Sequence, residues 1–150
     1  MGKNTENSIK KLKNACQFKE DKDYEIFSEC IEELRNIQTV EVLRAFFESL
    51  NDKDVGEIQY ELIEACEEFP DKIYIEEFIK YSNHLRKNGG EWYIMMLQTI
   101  LNTVSTKRIF LSLYNDLDDK LLKNSLYNDV QKIANEEDEY KSVFRKMSRT

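Results

Sequence analysis

The sequence predicts an all-α protein: about four stacked helical hairpins and a C-terminal helix, in a single domain over residues 1–150. Three observations lead there. Four glycines and one proline leave few turns, so elements are long and connections short. Apolar residues recur at helical spacing along the chain. That pattern returns at a step of about 34 residues.

Read in order, the chain divides into about nine helices. The first places Ile9, Leu12 and Cys16 on one face, and the second Tyr24, Phe27, Ile31 and Leu34. Thr39 can cap the third, whose stripe is Val42, Leu43, Phe46, Phe47 and Leu50. Asp54 is the expected cap of the fourth, with Ile58, Leu62, Ala65, Cys66 and Phe69. Pro70 ends that helix, because proline cannot continue the ladder but suits the start of the next. The fifth carries Ile75, Phe78, Ile79, Ser82 and Leu85, and the glycines of KNGG stop it. The sixth is the apolar stretch EWYIMMLQTILN. The seventh starts near Thr106, the eighth follows DLDDK with Leu122, Leu126, Val130 and Ile133, and a last amphipathic helix runs from Glu137 to Met147.

Tyr24, Ile58, Trp92 and Leu126 stand 34 residues apart, as do Ile31, Ala65, Thr99 and Ile133. A two-helix repeat of this length belongs to an α-solenoid, in which hairpins stack because none can bury its apolar face alone. The tetratricopeptide and ankyrin consensus residues are missing, so a degenerate HEAT-like α-solenoid fits best. In such a stack the sixth helix has neighbours on both sides. Trp92, Met95 and Met96 are therefore expected in the core, since a helix apolar all round is buried all round.

Composition narrows function. Cys16, Cys30 and Cys66 are too widely spaced for a zinc site or disulfide framework, and read as small buried hydrophobes in a reducing compartment. The N-terminus lacks a signal-peptide core, and no apolar run nears the roughly 20 residues of a membrane span. A cytoplasmic protein with no membrane partner is expected. One histidine, His84, and no phosphate loop or GxSxG motif leave little for catalysis, cofactors or metals, so none is expected.

Charge is distributed in blocks. Residues 21–77 hold eighteen acidic and five basic side chains, whereas residues 78–135 hold five acidic and eight basic. The acidic third would repel phosphates, which argues against nucleic acid and for a basic protein partner or a solvated surface. On the fourth helix Glu57, Glu61, Glu64 and Glu68 line one face at i, i+4, i+7 and i+11. Tyr60 flanks them, and Asp52 and Asp54 lie in the preceding turn. These seven residues form the candidate partner-binding site. The alternative is that Lys53, Lys72 or Lys80 neutralises the face.

The segments ELIEACEEFP and GEWYIMMLQTILN give the chain its resemblance to the immunity protein 30 family of bacterial polymorphic toxin systems. An acidic helix ends in Phe69-Pro70, and a helix led by Trp92 closes on Ile100-Leu101-Asn102; the similarity runs from Thr39 to Asp119. The resemblance implies an all-helical, HEAT-like, non-catalytic protein that binds and blocks the toxic C-terminal domain of a cognate effector. Many such toxins are nucleases with basic surfaces, which suits the acidic face. The rival reading is a regulatory or scaffolding α-solenoid that binds a peptide or protein in its groove.

Overall fold

The computed structural model describes residues 2–149, and all regular structure in them is helical. In order these elements are α1 (Lys3–Ala15), α2 (Lys22–Leu34), α3 (Val40–Ser49), α4 (Ile58–Glu67), α5 (Asp71–Lys80), α6 (Ser82–Gly89), α7 (Glu91–Asn102), α8 (Val104–Asn115) and α9 (Lys120–Glu136). A 3-10 turn at Asp138–Tyr140 and the short α10 (Lys141–Arg145) close the described chain. In place of one short helix over Glu137 to Met147, a 3-10 turn and a five-residue helix stand, with Tyr140 and Val143 buried.

The helices start and stop for local reasons. Thr39 accepts the Val42 amide at 3.4 Å, and Asp119 accepts the Leu122 amide at 3.0 Å, so both cap as their side chains dictate. Asp54 does not cap α4. Its helix begins after Glu57, because Asn51 first captures the chain: its side-chain oxygen accepts the Lys53 amide at 3.0 Å and the Gln59 side chain at 2.9 Å. Asn51 also donates to the Cys16 carbonyl at 2.8 Å, which ties the α3–α4 loop to the end of α1. The expected fifth helix is two helices. The chain breaks at Tyr81 (φ −94°, ψ 5°), and the Ser82 hydroxyl turns back to the Ile79 carbonyl at 2.8 Å.

α1, α3, α5 and α8 contact one another in that order. Opposite them α2 packs on α4, but α4 makes its main contacts with α2, α3 and α5 rather than with α7. The inserted α6 touches α3, α5, α7 and α9 instead. One apolar cluster runs through these elements, from Leu12 on α1 to Val143 on α10, with Phe27, Phe46, Phe47, Phe78, Tyr93 and Phe110 fully enclosed. Between α3 and α5 the core holds a charge: Glu77, only 4 % exposed, accepts two hydrogen bonds from the Arg44 guanidinium at 3.1 Å each. Pairing offsets the desolvation that a buried carboxylate would otherwise suffer.

The 34-residue step does not give four equivalent core positions. Leu126 is buried, Ile58 and Trp92 are half-buried, and Tyr24 is exposed; likewise Thr99 is exposed where Ile31, Ala65 and Ile133 are buried. The break at Tyr81 sets α6 against α3, α5, α7 and α9, which interrupts a regular two-helix repeat at that point. Free Cys16, Cys30 and Cys66 are all buried.

Gly90 joins α6 to α7 at φ 55° and ψ −128°, a conformation open to glycine and strained for other residues. A Cβ there would stand 2.9 Å from the Asp52 Cβ. Gly90→Ala is therefore expected to lower stability by roughly 1–3 kcal/mol and to push the Asp52 loop outward. Thermal unfolding with amide chemical shifts over residues 51–56 checks both effects.

Candidate functional site

Each of the seven predicted site residues is exposed, and two of them, Asp52 and Asp54, precede α4 in the α3–α4 loop. Glu61 and Glu64 project from α4, and Glu57 stands at its N-terminal edge rather than inside it. Among the described residues no ion pair joins Glu57, Glu61 or Glu64 to a cation. Of the lysines expected to neutralise them, Lys53 donates to the Gln17 carbonyl at 2.6 Å and Lys80 lies 3.8 Å from Glu77. The neutralising residue is one the sequence did not single out. Arg35, at the C-terminal cap of α2, reaches Glu68 at 2.8 Å and Glu32 at 2.6 Å, so among the described residues the stripe is balanced at its C-terminal end only. That exposed pair is worth at most about 1 kcal/mol.

Tyr60 is 43 % exposed, and its ring lies 6.5 Å from that of Trp92 at 47°. Trp92 and Met95 are not in the core. Both are half-buried, while Met96 is buried as expected. Trp92 is led out by its register: Tyr93, Met96, Leu97, Ile100 and Leu101 form the inward face of α7, and the next residue before Tyr93 falls to its side. There α4 leaves α7 uncovered.

The uncovered side is an open groove of about 850 Å³ between the α3–α4 loop, the α6–α7 junction, α7 and the end of α9. Asp52 and Asp54 are on its rim with Glu91 and Glu136, and Trp92, Ile94 and Met95 form its floor. The acidic stripe and the groove thus meet at the Tyr60–Trp92 pair. Sequence reasoning missed Glu91 and Glu136, which belong to no acidic helix face. Their shared place is set by tertiary packing alone.

That packing depends on a polar clamp beside the groove. Arg86 on α6 donates through Nε to both Asp129 oxygens at 3.1 and 2.9 Å, and through Nη2 to Oδ2 at 2.5 Å. The Tyr93 hydroxyl donates to the same Oδ2 at 2.5 Å, and the guanidinium lies 5.3 Å from the Tyr93 ring centroid. Burial first, then the Asp129 charge, pushes the Tyr93 phenol far above its ordinary range, so it stays a donor. His84 is half-buried, and Asn88 donates to its carbonyl at 3.0 Å. Among the described residues no three His, Cys, Asp or Glu side chains are grouped to hold a metal ion, and no helix is long and apolar enough to cross a membrane.

A smaller cavity of about 130 Å³ lies on another side, between Glu67, Tyr74, Thr99 and Thr106. Burial, and then the Glu64 carboxylate, pushes the Glu67 carboxyl up.

Fold and surface together define an all-helical protein whose open face offers carboxylates and two aromatic rings. A family model described as Immunity protein 30 matches residues 14–110, well over half of the chain. The chain belongs to the immunity protein 30 family. Membership implies an immunity protein of a polymorphic toxin system. No curated relative and no solved structure matches the chain.

Three outcomes follow from the clamp and from Glu67. Asp129→Ala should cost roughly 2–4 kcal/mol, since it strands a half-buried guanidinium and a phenol. Tyr93→Phe, which removes one hydrogen bond to a charged group, should cost about 1.5–3 kcal/mol. Chemical denaturation measures both. For Glu67 the folded-state pKa is raised, so ionisation opposes folding as pH rises through it. Glu67→Gln should therefore be more stable than the parent at pH 7, with the difference closing as pH falls below the ordinary carboxylate range. Melting temperatures from pH 3.5 to 7 check this.

Proposed function

We propose that this protein binds the toxic C-terminal domain of a cognate bacterial effector in the cytoplasm and neutralises it by occlusion, without catalysis. One observation carries the reading: Glu57, Glu61 and Glu64 stand exposed beside the Tyr60–Trp92 rings, with no ion pair among the described residues. Like charges at helical spacing repel by a few tenths of a kcal/mol per pair, a cost that a cationic partner removes. Carboxylates steer a basic partner into encounter, and aromatic side chains supply anchoring area once it docks. Family membership supports the same reading. A basic toxin surface, as on a nuclease, is the complement of this face.

The test has a cellular and a molecular arm. The C-terminal region of the gene directly upstream is expressed in a bacterial host with and without this protein, and survivors are counted. Rescue with co-purification is the expected result. A toxic region that is neither bound nor rescued by folded protein overturns the reading and leaves the scaffolding alternative in its place. In stopped-flow binding, Glu57→Gln, Glu61→Gln and Glu64→Gln combined should slow association about tenfold at low salt and flatten its salt dependence. Glu68→Gln alone should change the rate little, because Arg35 already neutralises that carboxylate.

A further inference from the structure

The groove beside the stripe has chemistry of its own. Its volume of about 850 Å³ falls within the roughly 300–1,000 Å³ typical of sites that enclose a ligand. Asp52, Asp54, Glu91 and Glu136 rim it, against Lys53 and Lys132. Among the described residues none of the four carboxylates is in an ion pair. Lys53 keeps its positive charge while it donates to the Gln17 carbonyl, so four carboxylates face two ammonium groups and the rim is net negative. Ionised carboxylates only accept hydrogen bonds, so an occupant must be a donor, and the net negative rim selects a cation. The floor at Trp92 presents the side chain whose ring face attracts cations most strongly.

We propose that this groove receives an arginine or lysine side chain projecting from a basic segment of the bound toxin domain, with its charged head among the four carboxylates and its stem against Trp92 and Met95. The inference rests on the proposed function and adds to it a second point of recognition, separate from the stripe on α4. The stripe governs encounter, whereas the groove holds the docked partner. An acidic or phosphorylated segment is excluded by the same rim. The α9 wall, with Lys132 and Glu136, lies beyond the residues matched by the family model, while the opposite wall lies within them. The pocket is thus built partly from elements outside the matched span.

Trp92 is the single tryptophan of the chain, so protein labelled with 5-fluorotryptophan gives one fluorine resonance, located at the groove. The unlabelled toxin domain is titrated into it, alongside an independent binding isotherm. Binding should shift the resonance in step with the isotherm. Trp92→Leu should weaken affinity about tenfold or more, chiefly through faster dissociation. Glu91→Gln with Glu136→Gln, two exposed positions that leave the fold intact, should weaken it about tenfold. A domain that binds at full strength to both variants while the resonance stays still overturns the groove and spares the immunity reading. A domain that does not bind at all removes both, and the isotherm tells these failures apart. A resonance that moves with free spermidine but not with the toxin domain assigns the groove to a small cation and also overturns the proposal.

Discussion

Asp129 accepts from Arg86 and from Tyr93 together, and through it α6, α7 and α9 are held as one unit. The three residues come from segments separated by up to 43 positions. Desolvating a carboxylate and a guanidinium is costly, and only dense mutual hydrogen bonding offsets it. In return the geometry is specified: a bidentate guanidinium and a phenol fix both distance and direction where apolar contacts alone would let helices slide. The position of α9 relative to α7 is the width of the groove, so the open face inherits its shape from this clamp.

The remaining frame is apolar, and it is built from short pieces. No helix of ten to seventeen residues buries enough surface alone, and each depends on at least two neighbours. α6 is the departure from a regular arrangement. By turning away at Tyr81 it supports α7 from one side and leaves the other side open beside α4. The aromatic pair that spans this gap, Tyr60 with Trp92, is the point at which the acidic surface of α4 and the groove become continuous.

Much of this was legible in the sequence, and its limits are physical. Helical period and scarcity of turns foretold the all-α fold because both act locally. The exposure of Glu61 and Glu64 on α4 was legible too, since charges at helical spacing share a face, although Glu57 and Glu68 fall at the helix ends. Trp92 was not. Periodicity counts the neighbours a helix would have if its repeat were regular, and it cannot register the break at Tyr81 that removes one of them. The Asp54 cap failed for a related reason: an equally local signal, the Asn51 side chain, took the same backbone first. Arg35 with Glu68, Arg44 with Glu77 and Arg86 with Asp129 join residues 33 to 43 positions apart, beyond any local rule.

The placement of α9 has an evolutionary consequence. Its side chains complete a cleft whose other wall lies within the residues shared with the family. Genetic exchange downstream of residue 110 would replace one wall and retain the other, provided that the incoming segment keeps an acceptor for Arg86 and Tyr93. The cleft would then change shape in one recombination event, without rebuilding the scaffold that makes the chain fold.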